Sequence, residues 1–428
     1  MLPNHLLIEI SKALARSAET APRLVDIERI FVSVGSDWHL LMPIIFRVMD
    51  PANIPDSLTL EAEPVHEGFR ERLRCVWFFL DFIAHFDIIY QIADVSAHLW
   101  DRMWCWIRIF VNSLSSIPHI ISRDPSTILV ACVAVMGRLA RHQPTLEVMI
   151  RTHGTLSVVT RAWSTLANIG NGDLLRLGVM ATNRFWMALP LVLPERMDEI
   201  VNAAGMSLDD LARATVNNLE PIRATLTSRS SAPALTFMPY ILFIDSMMSA
   251  AEEDFTLSLI NYDIAGVIAY VLYLMKDDLS EQTHPIIETA FRQILYFLEF
   301  PEENGQCAVA VEECFMQSVI TLAQNDTDAN IQALVAYTFS TVMPRAFIQH
   351  RVVQALGKQY DELQKVVASA PFQSAAVYAS WTALDMLLIE RLQTLAICNA
   401  RPTVSFKQCD SETVIRIRPR LISADFYT

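Results

Sequence analysis

A chain of 428 residues that is 52% hydrophobic and 19% charged can fill a large continuous core, and 11 glycines are too few for a turn-rich β sandwich or barrel. A net charge of −14 disfavours DNA or RNA as partner, because neutralising phosphates requires clustered Lys and Arg. An odd count of seven cysteines, with no basic segment leading into an apolar run at the start, points to reduced thiols in an intracellular, cytoplasmic or nuclear protein.

In chain order, apolar spacing predicts helices over 4–16, 25–34 and 37–48. A loop over 50–68 follows, holding Pro51, Pro55 and Pro64. Helices resume over about 69–92 and 97–114. The second of these carries the densest aromatic patch: Trp100 and Trp104 stand four apart on one face, widened by Met103, Trp106 and Phe110. Core packing is the leading reading of such indoles. A groove that grips a partner helix or peptide is the rival. Asp124-Pro125 starts the next helix, with Pro125 at a first-turn position that needs no N–H donor.

The stretch 148–163 is the most informative in the chain. One apolar helical pattern runs into Gly154, and another begins at once with Leu156, Val159, Trp163 and Leu166 on one face. Glycine suits such a helix end because it takes positive φ without a Cβ clash. Similar junctions are predicted at Gly205 and Gly357, and a variant with Asp263 in the glycine role precedes Ile264. From Gly154 to Gly205 to Asp263 the separations are about 50–60 residues, above the ~40–47 of armadillo or HEAT units. The expectation is therefore all-α, an irregular armadillo/HEAT-like α-solenoid of stacked helical hairpins over 1–397, with a short non-helical tail over 398–428.

Within that body, Ser207 and Asp210 resemble a capping box. Pro221 should kink or interrupt its helix, and 223–233, rich in Ser and Thr, is the internal linker candidate. The apolar stretches 230–244 and 264–275 fall short of the ~18–20 residues of a membrane span and read as buried core helices. Pro285 starts a helix with Ile287, Phe291, Ile294 and Leu298 on one face; Ile331, Leu334, Thr338 and Val342 mark another. The last long helix is expected over about 373–397, carrying Trp381, Leu384, Leu388 and Leu392.

Charge is uneven. Residues 251–330 hold fifteen acidic side chains against Lys276 and Arg292. Glu252, Glu253, Asp277, Asp278, Glu302 and Glu303 are expected at helix ends and turns along one rim, as a strip for a basic partner. The plainer reading is a solvated face that keeps an apolar protein soluble.

No glycine-rich phosphate loop, Gly-x-Ser-x-Gly elbow or His-Glu-x-x-His helix is present, so no catalytic or cofactor-binding residue is assigned. His85, His98 and His119 read as structural. Cys307 and Cys314, two turns apart, could share a helix face as core thiols. In the tail, Arg416, Arg418 and Arg420 alternate with apolar residues, as in an edge strand or a flexible basic segment.

By order and spacing, the stretches 99–110, 152–163, 204–212 and 381–392 resemble armadillo-like helical proteins of mushroom-forming fungi. Many of these carry a C-terminal MYND-type zinc finger. The resemblance implies that Cys398 and Cys409 correspond to two ligands of that finger. The remaining ligands are missing from 410–428, so the finger is a remnant and no zinc or other cofactor is expected. The functional expectation is a non-enzymatic scaffold that binds other proteins through its helical surface. Its rivals are an enzyme with a site assembled from distant residues and a degenerate paralogue without finger function.

Overall fold

Local chemistry sets the first helices. A computed structural model describes residues 41–55, 67–85, 96–166, 172–226, 233–277, 279–281, 283–300, 305–325 and 328–399. Helix α1, Met42–Val48, opens with Pro43 in its first turn, and a 3-10 turn at Pro51–Asn53 follows, capped by Asp50. The helices expected over 4–16 and 25–34 lie outside the described residues, as does most of the proline-bearing loop. Helix α2 spans Glu67–His85, α3 Ser96–Asn112, and α4 Ile117–Ile121. Helix α5, Pro125–Leu139, starts as the sequence implies: the Asp124 side chain accepts from Thr127 N–H at 2.9 Å, with Pro125 in the first turn. The Thr127 hydroxyl also donates to Asp124, and these bonds hold its carboxyl below the usual range.

Left-handed residues punctuate the rest. Helices α6, Gln143–Arg151, and α7, Thr155–Thr165, meet at Gly154 with φ +90°. Helix α8 is Gly172–Ala188, and α9, Met197–Ala204, ends at Gly205 with φ +146° before α10, Leu208–Leu226. Here Met206 N–H closes onto the Val201 carbonyl at 3.1 Å, and Ser207 Oγ caps Asp210 N–H at 3.0 Å. The Asp210 carboxylate accepts from the Ser207 hydroxyl at 2.6 Å instead of reaching back to a backbone N–H. Helix α11 is Pro233–Ile260, and Asp263, at φ +57°, turns the chain by 79° into α12, Ile264–Met275.

Helix α13, His284–Glu299, buries Ile287, Phe291 and Ile294 as expected. Helix α14, Gln306–Glu312, follows Gly305, and α15, Phe315–Asn325, follows Cys314 at φ +66°. Helix α16, Ala329–Tyr337, passes through a π turn at Thr338–Val342 into α17, Met343–Ala346. Pro344 stands just past that turn and lacks an N–H for the α ladder, which accounts for the register change. Helices α18, His350–Val367, α19, Ala370–Gln373, and α20, Tyr378–Asn399, complete the order. Among the described residues the protein is all-α and has no strand.

Three expectations fail on local geometry. Gly357 is no junction: it lies inside α18, where a Cβ would meet Leu392 Cδ2 at 2.8 Å, so glycine there admits α20. Pro221 does not interrupt α10, which runs on to Leu226 and takes the first residues of the supposed linker. Cys307 and Cys314 share no helix face, since α14 stops at Glu312 and Cys314 occupies the left-handed turn. The last long helix also starts later than expected, at Tyr378, after the short α19.

Two series of helices pack each on the next. One is α2, α5, α8, α11 and α13; the other is α7, α10, α12, α15 and α18. Their interface is aromatic in the middle. Trp163, Trp186 and Phe243 bring α7, α8 and α11 together with ring centroids 4.8–5.4 Å apart. An aromatic side chain buries about 150–250 Å², roughly 4–6 kcal/mol of gross hydrophobic stabilisation before conformational entropy is subtracted. Cys132 is part of this core, and burial pushes its thiol up to about 12, leaving it uncharged.

No single helix among the described residues is long and apolar enough to cross a membrane. The bent pair 253–260 and 264–275 reaches the length together, but Phe255, Leu259, Ile264, Ile268 and Leu272 are buried within the protein.

Candidate binding cleft at the Gly154 junction

Helix ends leave orphan carbonyls and N–H groups that need partners when buried. At Gly154 those partners come from another part of the chain. Arg196, just before α9, donates to the Ile150 carbonyl at 2.8 Å and to the Thr152 carbonyl at 3.2 Å. Glu199 pairs with Arg196 and accepts from Ser157 N–H at 3.0 Å, acting as a remote cap for α7. Both side chains are largely buried, at 16% and 9% exposure.

The same fastening recurs. Gln306 donates to the Ile260 carbonyl at 2.8 Å and to Asp263 Oδ1 at 3.0 Å, and accepts from Ala265 N–H at 3.1 Å. Gln359 donates to the Val311 carbonyl at 2.8 Å, just ahead of Cys314. In all three cases a side chain 46–48 residues downstream closes the carbonyl that precedes a left-handed residue.

Helix α3 packs on the first of these junctions. Trp100 Nε1 donates to Thr152 Oγ1 at 3.3 Å, and its ring lies 5.1 Å from that of Trp104. The Trp104 ring then meets Gly154, where an added Cβ would stand 3.1 Å from Cζ2. A cleft of about 430 Å³ opens beside this contact, lined on α3 by Trp104, Arg108 and Asn112, and on α7 by Ser157, Val158 and Arg161. Thr152, His153, Gly154 and Val111 complete the wall. Arg108, Asn112 and His153 are exposed at its edge, whereas Trp104, Val111 and Val158 are buried at its base. Arg108 and Arg161 pair with no carboxylate among the described residues. His153 lies 3.6 Å from Glu199, whose charge Arg196 already takes up. The cleft is therefore cationic in a protein of net charge −14.

Of the partner-binding candidates singled out in the sequence, this site takes Trp104 alone, beside the Gly154 junction. Trp100 is 1% exposed and hydrogen-bonded inside, so it offers a partner no surface. Arg108, Asn112, His153 and Arg161 were missed. Trp104, Arg108 and Asn112 fall at steps of four along one helix face, a legible signal; what faces them across the cleft was not.

The acidic strip is largely out of view. Glu302, Glu303 and Asp278 lie outside the described residues, and so does the side chain of Glu252. Glu253 is exposed but stands inside α11, because Phe255, Leu259 and Ile260 carry the buried face on to its end; it marks no helix boundary. Asp277 is exposed beside Lys276 at 2.9 Å, just past α12. Cys398 is half-buried near the end of α20, and Cys409 with the arginine-bearing tail lies outside the described residues. His98 and His119 are exposed. No group of three or more His, Cys, Asp or Glu converges among the described residues.

Compared with protein-family models, curated proteins and solved structures, the chain matches none.

Proposed function

We propose that this chain is a non-enzymatic α-solenoid of armadillo-like kind that works inside the cell, in cytoplasm or nucleus, by binding other proteins along its surface. The observation that carries this reading is the recurrent fastening of one turn from 46–48 residues downstream, at Gly154, Asp263 and Cys314. Turns fastened from the next stretch of chain in this way are what a stack of successive units requires, and such stacks present extended binding surfaces. The likeness to fungal armadillo-like proteins with a degenerate MYND-type finger is part of the same proposal, as is an acidic surface over 251–330 for a basic partner. Exposed Glu253, Asp254 and Asp277 support the acidic surface.

Affinity capture from a native-source extract, read by mass spectrometry, tests the reading. The expected result is a defined protein partner that associates more slowly with Glu253→Lys/Asp277→Lys and at raised salt, as screening shortens to ~8 Å. Turnover of a small-molecule substrate, with no protein retained, would overturn it.

A further inference from the structure

The cleft beside Gly154 carries chemistry opposite to that of the acidic segment. Its two arginines lack carboxylate partners among the described residues, while the nearest buried acid, Glu199, is saturated by Arg196 and by Ser157 N–H. The N-terminus of α7 is thus already capped, and the attraction for an anion comes from the side chains. The same cleft is lined by the Trp104 indole and by Val111 and Val158, which give it an apolar part. Asn112 offers at the edge both an N–H donor and a carbonyl acceptor, the pair that a peptide unit presents in reverse. The volume falls within the roughly 300–1,000 Å³ of ligand sites, room for a few side chains and not for a folded domain. Two guanidiniums and an imidazole are too few for a nucleic-acid track, which gains affinity from many phosphate contacts.

We propose that this cleft recognises an acidic, extended peptide segment of a partner protein. Its carboxylates pair with Arg108 and Arg161, its backbone with Asn112, and an apolar side chain rests on Trp104, Val111 and Val158. This rests on the protein-binding reading above and adds the polarity of the ligand: one surface of the chain takes basic partners, and this cleft takes acidic ones.

The test uses the full chain and a fluorescein-labelled dodecapeptide, four repeats of Glu-Leu-Gly, followed by anisotropy. Saturable binding is expected, weakened at least about tenfold by Arg108→Glu/Arg161→Glu, as when both cations of a charge-paired site are reversed. A control of equal net charge change, Lys358→Glu/Arg391→Glu, should shift it by less than about twofold, since distant charges act only through screened long-range attraction. Arg108→Gln/Arg161→Gln serves if the reversal disturbs folding, which circular dichroism reports. The proposal is overturned if the peptide does not bind, if the control weakens binding equally, if Lys-Leu-Gly repeats bind as well, or if only a phosphoserine version binds. A partner captured from extract equally by wild type and by the Arg108/Arg161 variant would sink the cleft while leaving the binding scaffold standing.

Discussion

At Gly154 the chain turns through a glycine and is fastened by an ion pair, Arg196 with Glu199; at Asp263 it turns through an aspartate and is fastened by one neutral carboxamide, Gln306. Each fastener donates to a carbonyl before the turn and accepts from an N–H after it; the Ile260 carbonyl shares its second lone pair with Asp263 N–H at 3.2 Å. Surroundings select the chemistry. Gln306 is 1% exposed, where an unpaired charge would be costly and a carboxamide supplies donor and acceptor together. The Arg196–Glu199 pair lies beside exposed His153 at the edge of the cationic cleft, where water reaches part of it. A polar clasp can thus change character while its geometry is kept.

Substitutions can break this parallel, and the largest effect belongs to the turn itself. Gly154→Val should cost about 3 kcal/mol or more in denaturant unfolding, since a β-branched residue is strained at φ +90° and its side chain would strike Trp104. Asp263→Gly keeps a suitable residue in the turn and gives up one hydrogen bond, so a loss of only about 1 kcal/mol is expected. If both cost the same, the left-handed geometry is not what makes Gly154 matter.

Removing the fasteners comes next in size. Gln306→Ala leaves the Ala265 N–H and the Ile260 carbonyl buried without that partner, for a loss of about 2–3 kcal/mol. Glu199→Gln keeps an acceptor for Ser157 N–H but removes the charge facing Arg196, and should cost about 1–2 kcal/mol. The reverse order would mean that the ionic clasp, not the neutral one, dominates. The smallest effect is expected on the acidic surface: Glu253→Lys should leave stability within about 0.5 kcal/mol, as for other exposed positions.

Much of the helical order was legible because it rests on local signals. Asp124-Pro125, Gly154, Gly205 and Asp263 each announce a boundary through the φ they tolerate or the cap they supply, and each stands where expected. The failures have different causes, and at one of them a tertiary contact overrode the local cue. Gly357 reads as a turn and is in fact a point of close approach to Leu392. Cys314 takes positive φ with nothing in its chemistry to announce it. The cleft was half legible: Trp104 and its neighbours at steps of four lie on one helix, but Arg161 comes from another, and no periodicity along the chain reports that meeting. The fasteners were invisible for the same reason. A glutamine 46 residues from the carbonyl that it closes looks like any other glutamine.

Hydrogen exchange followed by mass spectrometry tests the remote fastening most directly. Glu199→Ala should speed exchange over 155–158 and leave 264–267 as in the wild type, while Gln306→Ala should do the reverse. Loss of protection at both turns in either variant, or at neither, would contradict the claim that each turn is held by its own distant side chain.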